Sequence, residues 1–312
     1  MRKAFADAIV KYVASPQCVF LTGDLGFMAL EGVRDAMQER FINAGVAEQN
    51  MVCVAAGLAR TGLSPWVYSI APFCYARPFE QIRNDVCFHG LSVRLVGNGG
   101  GYGYGVMGCT HHALEDYGVL LTLPGMRAFI PAFDCDLDPV IAQMHADRNG
   151  PAYLRLGRCE LPSGYPAPRY APWRRLSSGD GPVIVVVGPL AGNILSRVTS
   201  LDQALQPELW VATELPLRTT GVPADLLASL RRVRRLWVIE EHVAQGGFGQ
   251  MLSSWLLEES IAVDEFRHLT AQGYPSHRFG SQAFHRAECG IDGDSIVRAL
   301  TAEHYAMRNS CQ

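Results

Sequence analysis

The sequence predicts an α/β protein of two domains, each a mainly parallel sheet flanked by helices. Three observations predict it. Short apolar runs at 18–21, 65–70 and 91–96 alternate with stretches of helical spacing, the rhythm of a parallel sheet covered on both faces. A proline-rich break from Leu161 through Pro172 interrupts that rhythm, which then restarts. The length of 312 residues, 48% hydrophobic and 18% charged, suits about two cores.

Taken in order, residues 2–14 place Ala4, Ile9, Tyr12 and Val13 at helical spacing. The run 18–21 ends in Thr22-Gly23-Asp24-Leu25-Gly26, a strand followed by a loop. Loops at the carboxyl ends of strands bind ligands in open α/β sheets, which gives Asp24 a positional reason to matter beside the plainer reading as a turn aspartate. The stretch from Phe41 to Met51 sets one carboxylate, Glu48, before the apolar run 51–59, which has the length and small residues of a buried helix. Glu48 therefore belongs near that helix's N-terminus, where the dipole favours its charge while apolar neighbours oppose it. Such a conflict is typical of proton-transferring groups, and a helix-capping acid is the plainer alternative. Strands follow at 65–70, 91–96, 128–132 and 152–156, with a glycine-rich loop from Gly97 to Gly108. These limits give a first domain over 1–160, a linker over 161–180 and a second domain over 181–312, the last with strands at 182–187, 209–212 and 235–239.

Composition narrows the function. A net charge of −3 offers neither nucleic acid nor an anionic membrane a reason to bind. Nine scattered cysteines without a Cys-x-x-Cys pair read as core residues of a reducing compartment. No apolar segment approaches the roughly 18 residues of a membrane span, and the N-terminus lacks a signal-peptide apolar core. A cytoplasmic protein is expected.

The candidate motifs carry competing readings. The loop Gly97-Asn98-Gly99-Gly100-Gly101 is followed by no regular helix, which argues against a dinucleotide fingerprint; its glycines let the backbone pass close to a ligand or a partner chain. His111 and His112, near Glu115 and Asp116, lack metal-ligand spacing, so no metal site is expected in this chain. Phe73, Tyr75 and Phe79 could be plain core. Arg2 and Arg158 read as solvated arginines, though two guanidinium groups together would hold a phosphate.

The string Gly45-Val46-Ala47-Glu48-Gln49-Asn50-Met51, with Thr110-His111-His112-Ala113-Leu114-Glu115-Asp116, resembles the transketolase family, and the likeness spans the whole chain. It implies a pyrimidine-binding domain followed by a transketolase C-terminal domain. It also implies that Glu48 contacts the aminopyrimidine ring of thiamine diphosphate, that Phe73 stacks on that ring, and that Asp24, Leu25 and Ile70 complete the cofactor contacts. By the same likeness His111 is catalytic and touches substrate, while Arg158 and Arg2 bind a sugar phosphate. The family's diphosphate-binding domain, with its Mg2+ ligands, is missing. The resemblance therefore implies one subunit of a split transketolase, inactive alone and working in an α2β2 assembly with a separate diphosphate-binding subunit. The implied reaction is two-carbon ketol transfer from a ketose to an aldehyde acceptor.

Several positions depart from the family pattern. Ile70 and Ala76 replace aromatics. Met107, Gly99 and Met28 stand where an aspartate, a histidine and a serine contact ordinary substrates, which points to a modified or less polar substrate. Two strings are set aside: Gly179-Asp180-Gly181 lacks the Asn-Asn that completes the family's metal motif, and Glu240-Glu241-His242 with Gly246-Gly247-Phe248-Gly249 reads as structural. Competing functions are the β subunit of a 2-oxo acid dehydrogenase decarboxylating component and a non-catalytic partner subunit.

Overall fold

The structure is a computed structural model describing residues 1–12 and 14–310, so Val13 lies outside the described residues. Two mostly parallel sheets, each flanked by helices, form it. The strands are β1 (Cys18–Thr22), β2 (Phe41–Asn43), β3 (Ser64–Ile70), β4 (Arg94–Asn98), β5 (Arg127–Phe129), β6 (Ala152–Leu156), β7 (Trp173–Ser177), β8 (Val183–Val187), β9 (Glu208–Ala212), β10 (Glu214–Leu215), β11 (Arg235–Glu240) and β12 (Glu265–Thr270). The first sheet runs β10-β5-β6-β4-β3-β1-β2 and the second β12-β11-β8-β9-β7. Of these strands only β10 and β7, each at an edge, pair antiparallel to their neighbours.

The central strands read as the chemistry dictates. Val183-Ile184-Val185-Val186-Val187 is buried throughout, as a β-branched strand covered on both faces must be. Because β1, β3, β4 and β6 are parallel, their C-terminal ends share one edge of the first sheet. The loops leaving that edge carry Asp24, Phe73, the glycine-rich loop and Arg158.

Four strands escape the sequence pattern, each for a physical reason. β2 is only three residues long and half-exposed. β10 has two residues, and these pair with β5 of the first sheet, so the second half of the chain supplies an edge strand to the first. β12 is an edge strand whose Glu265, Arg267 and His268 hide the alternation. β7 lies inside 161–180, the stretch expected as linker. Its Arg174 is buried and meets Asp136 at 2.6 and 2.8 Å, so a charged residue occupies a core position. The strand expected over 91–96 begins at Arg94, whose buried guanidinium donates to the carbonyls of Met144 and Gly150.

Buried polar contacts lock the two sheets together. The Tyr102 N–H donates to Glu241 (2.8 Å), which also receives the Arg286 guanidinium (2.8 Å). Arg155 pairs with Asp116 at 2.9 Å and donates to the carbonyls of Ala113 and Glu241.

Candidate active site

Glu48 is the first residue of the helix Glu48–Arg60 and is only 4% exposed. No side chain caps that helix start, so the carboxylate is free for another task. Gly23 makes room for it: a Cβ there would stand 3.2 Å from the Gly45 carbonyl and 4.0 Å from Glu48 Oε1. Its partner is Arg77, whose Nη1 donates to both carboxylate oxygens at 2.9 and 3.0 Å. The same guanidinium lies 3.8 Å above the centroid of the Phe73 ring, a cation–π contact. Phe73 belongs to the short helix Ala71–Tyr75, which starts where β3 ends at Ile70.

Phe73 also meets His111 edge-on, with centroids 5.2 Å apart, and Tyr104 approaches the same imidazole at 5.8 Å. His111 Nδ1 lies 2.9 Å from the Thr110 hydroxyl. Glu48, Arg77, Phe73, His111 and Tyr104 thus form one continuous chain of contacts, although the residues are far apart in sequence. His112 turns the other way, into the second domain: its Nε2 is 2.8 Å from the Gly105 carbonyl and its Nδ1 is 2.8 Å from the Tyr274 hydroxyl. A carbonyl can only accept, so Nε2 carries the proton and Nδ1 accepts from Tyr274. Burial pushes this imidazole below its ordinary value, which suits a neutral ring. The adjacent histidines therefore do not converge, and among the described residues no group of three His, Cys, Asp or Glu could hold a metal ion.

The glycine-rich loop packs closely against the chain itself. At Gly99 (φ +77°) a Cβ would run into the Tyr104 ring, and at Gly101 (φ +64°) into Glu241 at 2.6 Å. Tyr104 is fixed by a hydrogen bond from Asn98 to its hydroxyl (2.8 Å) and fills the space a side chain at position 99 would take.

Asp24 is exposed and accepts a hydrogen bond from Asn43 (3.3 Å), whose own carbonyl receives the Gly45 N–H at 3.0 Å. Asn43 thereby ties the β1 loop to the turn that leads into Glu48. Asp24, Leu25 and Asn43 line a cavity of about 470 Å³ that extends to Phe27, Glu31 and Arg34. Arg2 and Arg158 are exposed and make no ion pair among the described residues. Their segments touch, since the Gly157 N–H lies 3.4 Å from the Met1 sulfur.

Of the strings set aside, Gly179-Asp180-Gly181 is a turn into β8, closed by bonds to the carbonyls of Gln203 and Gln206. Glu240 is buried and accepts from the N–H groups of Phe248 and Gly249, from Tyr117 and from His268. Sequence reasoning did not single out Arg77, Tyr104 or Asn43. Arg77 carried a readable signal, a lone cation amid the aromatics of 73–79.

A buried carboxylate, an aromatic ring and a histidine thus meet at the strand ends of a parallel sheet. Residues 1–163 match the family described as "Transketolase, pyrimidine binding domain", and the chain belongs to that family. It corresponds to the C-terminal section of a transketolase, the β subunit of a split enzyme. An apulose-4-phosphate transketolase subunit of Phocaeicola vulgatus is 28% identical over 269 residues, 84% of this chain and 85% of that one. A 1-deoxy-D-xylulose-5-phosphate synthase of Geobacter sulfurreducens is 31% identical over 84% of this chain but only 42% of its own length. A solved split-gene transketolase, described as an inactive beta4 tetramer, superposes with a TM-score of 0.79 at 27% identity, covering 96% of each chain. The family depends on thiamine diphosphate, and likeness to split-enzyme subunits implies a separate α subunit.

Proposed function

We propose that this chain transfers a two-carbon ketol unit from a ketose to an aldehyde acceptor, as the β subunit of a thiamine diphosphate-dependent split transketolase. One observation carries the reading. A planar, N–H-bearing cation already sits over the Phe73 ring while bonded to the buried Glu48, so this pair fits a flat aminopyrimidine. The cofactor supplies the electron sink that stabilises the carbanion. Glu48 holds and moves a proton at the ring nitrogen, Phe73 orients the ring, and His111 donates to the donor sugar's oxygens. Asp24, Leu25 and Ile70 flank the ring from the ends of β1 and β3, and Arg2 with Arg158 binds a phosphate at the neighbouring strand end.

The assembly is an α2β2 heterotetramer whose α subunit supplies the Mg2+ and diphosphate ligands, and this chain alone is inactive. Large apolar side chains support a covered face. Phe27, Met28, Val46, Val106, Met107 and Phe279 are all more than half exposed, and they lie on or against the loops that carry the site. The substrate is a modified or less polar sugar. Tyr104 occupies the space of a side chain at position 99, and Met107 and Met28 add no polar contact. The P. vulgatus relative, named for apulose 4-phosphate, accords with a non-standard ketose.

The test is calorimetric titration of thiamine diphosphate with Mg2+ into the chain alone and into its complex with candidate diphosphate-domain subunits from the same genome. Tight binding only in the complex is expected, followed by activity in a ketose and aldehyde screen. In that complex E48Q lowers kcat about 10²-fold or more, the usual worth of a proton-transferring group. Tight binding to the chain alone, or activity with a 2-oxo acid and a lipoyl acceptor instead of ketoses, overturns the proposal.

A further inference from the structure

Arg77 occupies an unusual place. Its guanidinium carbon lies over the Phe73 ring, 3.8 Å from the centroid, and a single nitrogen, Nη1, bridges both oxygens of Glu48. The carboxylate is buried, at 4% exposed, whereas the Arg77 side chain is 44% exposed. The residue sits in the break between the helix Ala71–Tyr75 and the short turn Phe79–Gln81, just ahead of Pro78.

We propose that Arg77 is a built-in placeholder. In the free chain its planar cation fills the position on Phe73 and at Glu48 that the aminopyrimidine ring takes in the working enzyme, and it swings outward when the cofactor is loaded. The inference rests on the reading of Glu48 and Phe73 as the ring site.

Three features of the geometry support it. The first is chemical likeness. A guanidinium is flat, delocalised, able to stack on an aromatic face and to donate N–H to a carboxylate. An aminopyrimidine protonated at its ring nitrogen offers the same flat face and the same N–H, so one site serves both. The second is need. A buried carboxylate without a counter-charge is costly, and Glu48 has no other charged partner among the described residues. An arm that covers it keeps the unloaded chain intact. The third is ease of release. Nε and Nη2 of Arg77 make no hydrogen bond to the described residues, so the arm is held through one nitrogen and one ring face. The arginine side of the pair opens to solvent, so the arm has room to leave.

Occupancy of the site by the arm lowers apparent cofactor affinity in proportion to the fraction of molecules with the arm in place. Removing the arm should therefore strengthen binding. A structural counter-ion that stays on Glu48 in the loaded enzyme would do the reverse.

The experiment is calorimetric titration of thiamine diphosphate with Mg2+ into the complex with the diphosphate-domain subunit, for the wild type, R77A, R77K and E48Q. The expected result is binding about three- to tenfold tighter in R77A, with R77K close to it because an ammonium cannot stack flat. On the free chain, methylguanidinium at millimolar concentration raises the thermal midpoint of R77A and leaves the wild type unmoved. Weaker or unchanged cofactor binding in both R77A and R77K overturns the placeholder, as does the absence of any methylguanidinium response in R77A. E48Q separates this from failure of the ring-site reading. If E48Q keeps full cofactor affinity and full activity, Glu48 is not at the ring, and that reading falls whatever the Arg77 variants do.

Discussion

Replacing Gly99 by alanine tests the packing of Tyr104 against the glycine-rich loop. Gly99 sits at φ +77°, where an L-residue costs about 1–2 kcal/mol. The added Cβ also meets the Tyr104 ring, which must move. Moving it breaks the bond from Asn98, worth about 1 kcal/mol net, and exposes part of a half-buried ring, worth about 1 kcal/mol more. G99A should therefore destabilise the chain by about 3–4 kcal/mol. Y104A removes the ring and its hydrogen bond, for about 2 kcal/mol. In the double variant the clash is gone, so the cost is backbone strain plus the lost tyrosine, again about 3–4 kcal/mol. The coupling is then favourable by about 2 kcal/mol, well beyond the additivity error of about 0.5 kcal/mol. Equilibrium urea unfolding of the four proteins measures it. Simple additivity would refute the argument that Tyr104 fills the space at position 99, and with it the structural ground for a non-standard substrate pocket.

Other expectations follow from the same contacts. R155A strips the buried Asp116 of its 2.9 Å partner and should cost about 3–5 kcal/mol in urea unfolding; a loss under about 1 kcal/mol would mean the pair carries little of the domain junction. Burial depresses the His112 imidazole, so the unfolded chain binds that proton more readily. This part of the stability is full above the ordinary imidazole value of 6.5 and is lost as pH falls through the lowered folded value. H112Q should accordingly narrow the stability gap between about pH 7.5 and pH 5.5; His285 and His145, also lowered by burial, act in the same direction, and Glu303, pushed up to about 7 by burial, acts in the opposite one. R2A and R158A should each raise KM for a phosphorylated ketose about tenfold or more while sparing the unphosphorylated sugar. Equal effects on both sugars would remove the phosphate role.

The first sheet's interior was legible because burial on both faces writes itself as continuous apolar runs. The runs 18–21 and 152–156 coincide with β1 and β6 almost to the residue. The edges were not legible, since an edge strand needs little apolar character and can carry charge. β12 mixes Glu265 and Arg267 into its faces, and β7 buries Arg174 against Asp136, a pairing that sequence spacing cannot show. β10 is two residues held by a neighbour from the other domain, so its strand character comes from tertiary contact alone.

The site divides the same way. Glu48 could be read because its isolation in an apolar run is a local conflict, and a conflict of that sort is visible in one dimension. Arg77 has no such conflict: on its own helix break it is an ordinary half-exposed arginine. Its meaning comes from two neighbours, one four residues away and one twenty-nine. The Phe73 contact follows from the local turn, but the Glu48 contact depends on β1 pairing with both β2 and β3, which brings the helix that follows β2 near the helix that follows β3. Register, not spacing, assembles this cluster. The same holds for Tyr104, which reaches Gly99 through the curl of a loop rich in positive-φ glycines. Residues that act on the chain's own carboxylate or own backbone leave weak sequence traces, whereas residues that resist their surroundings leave strong ones.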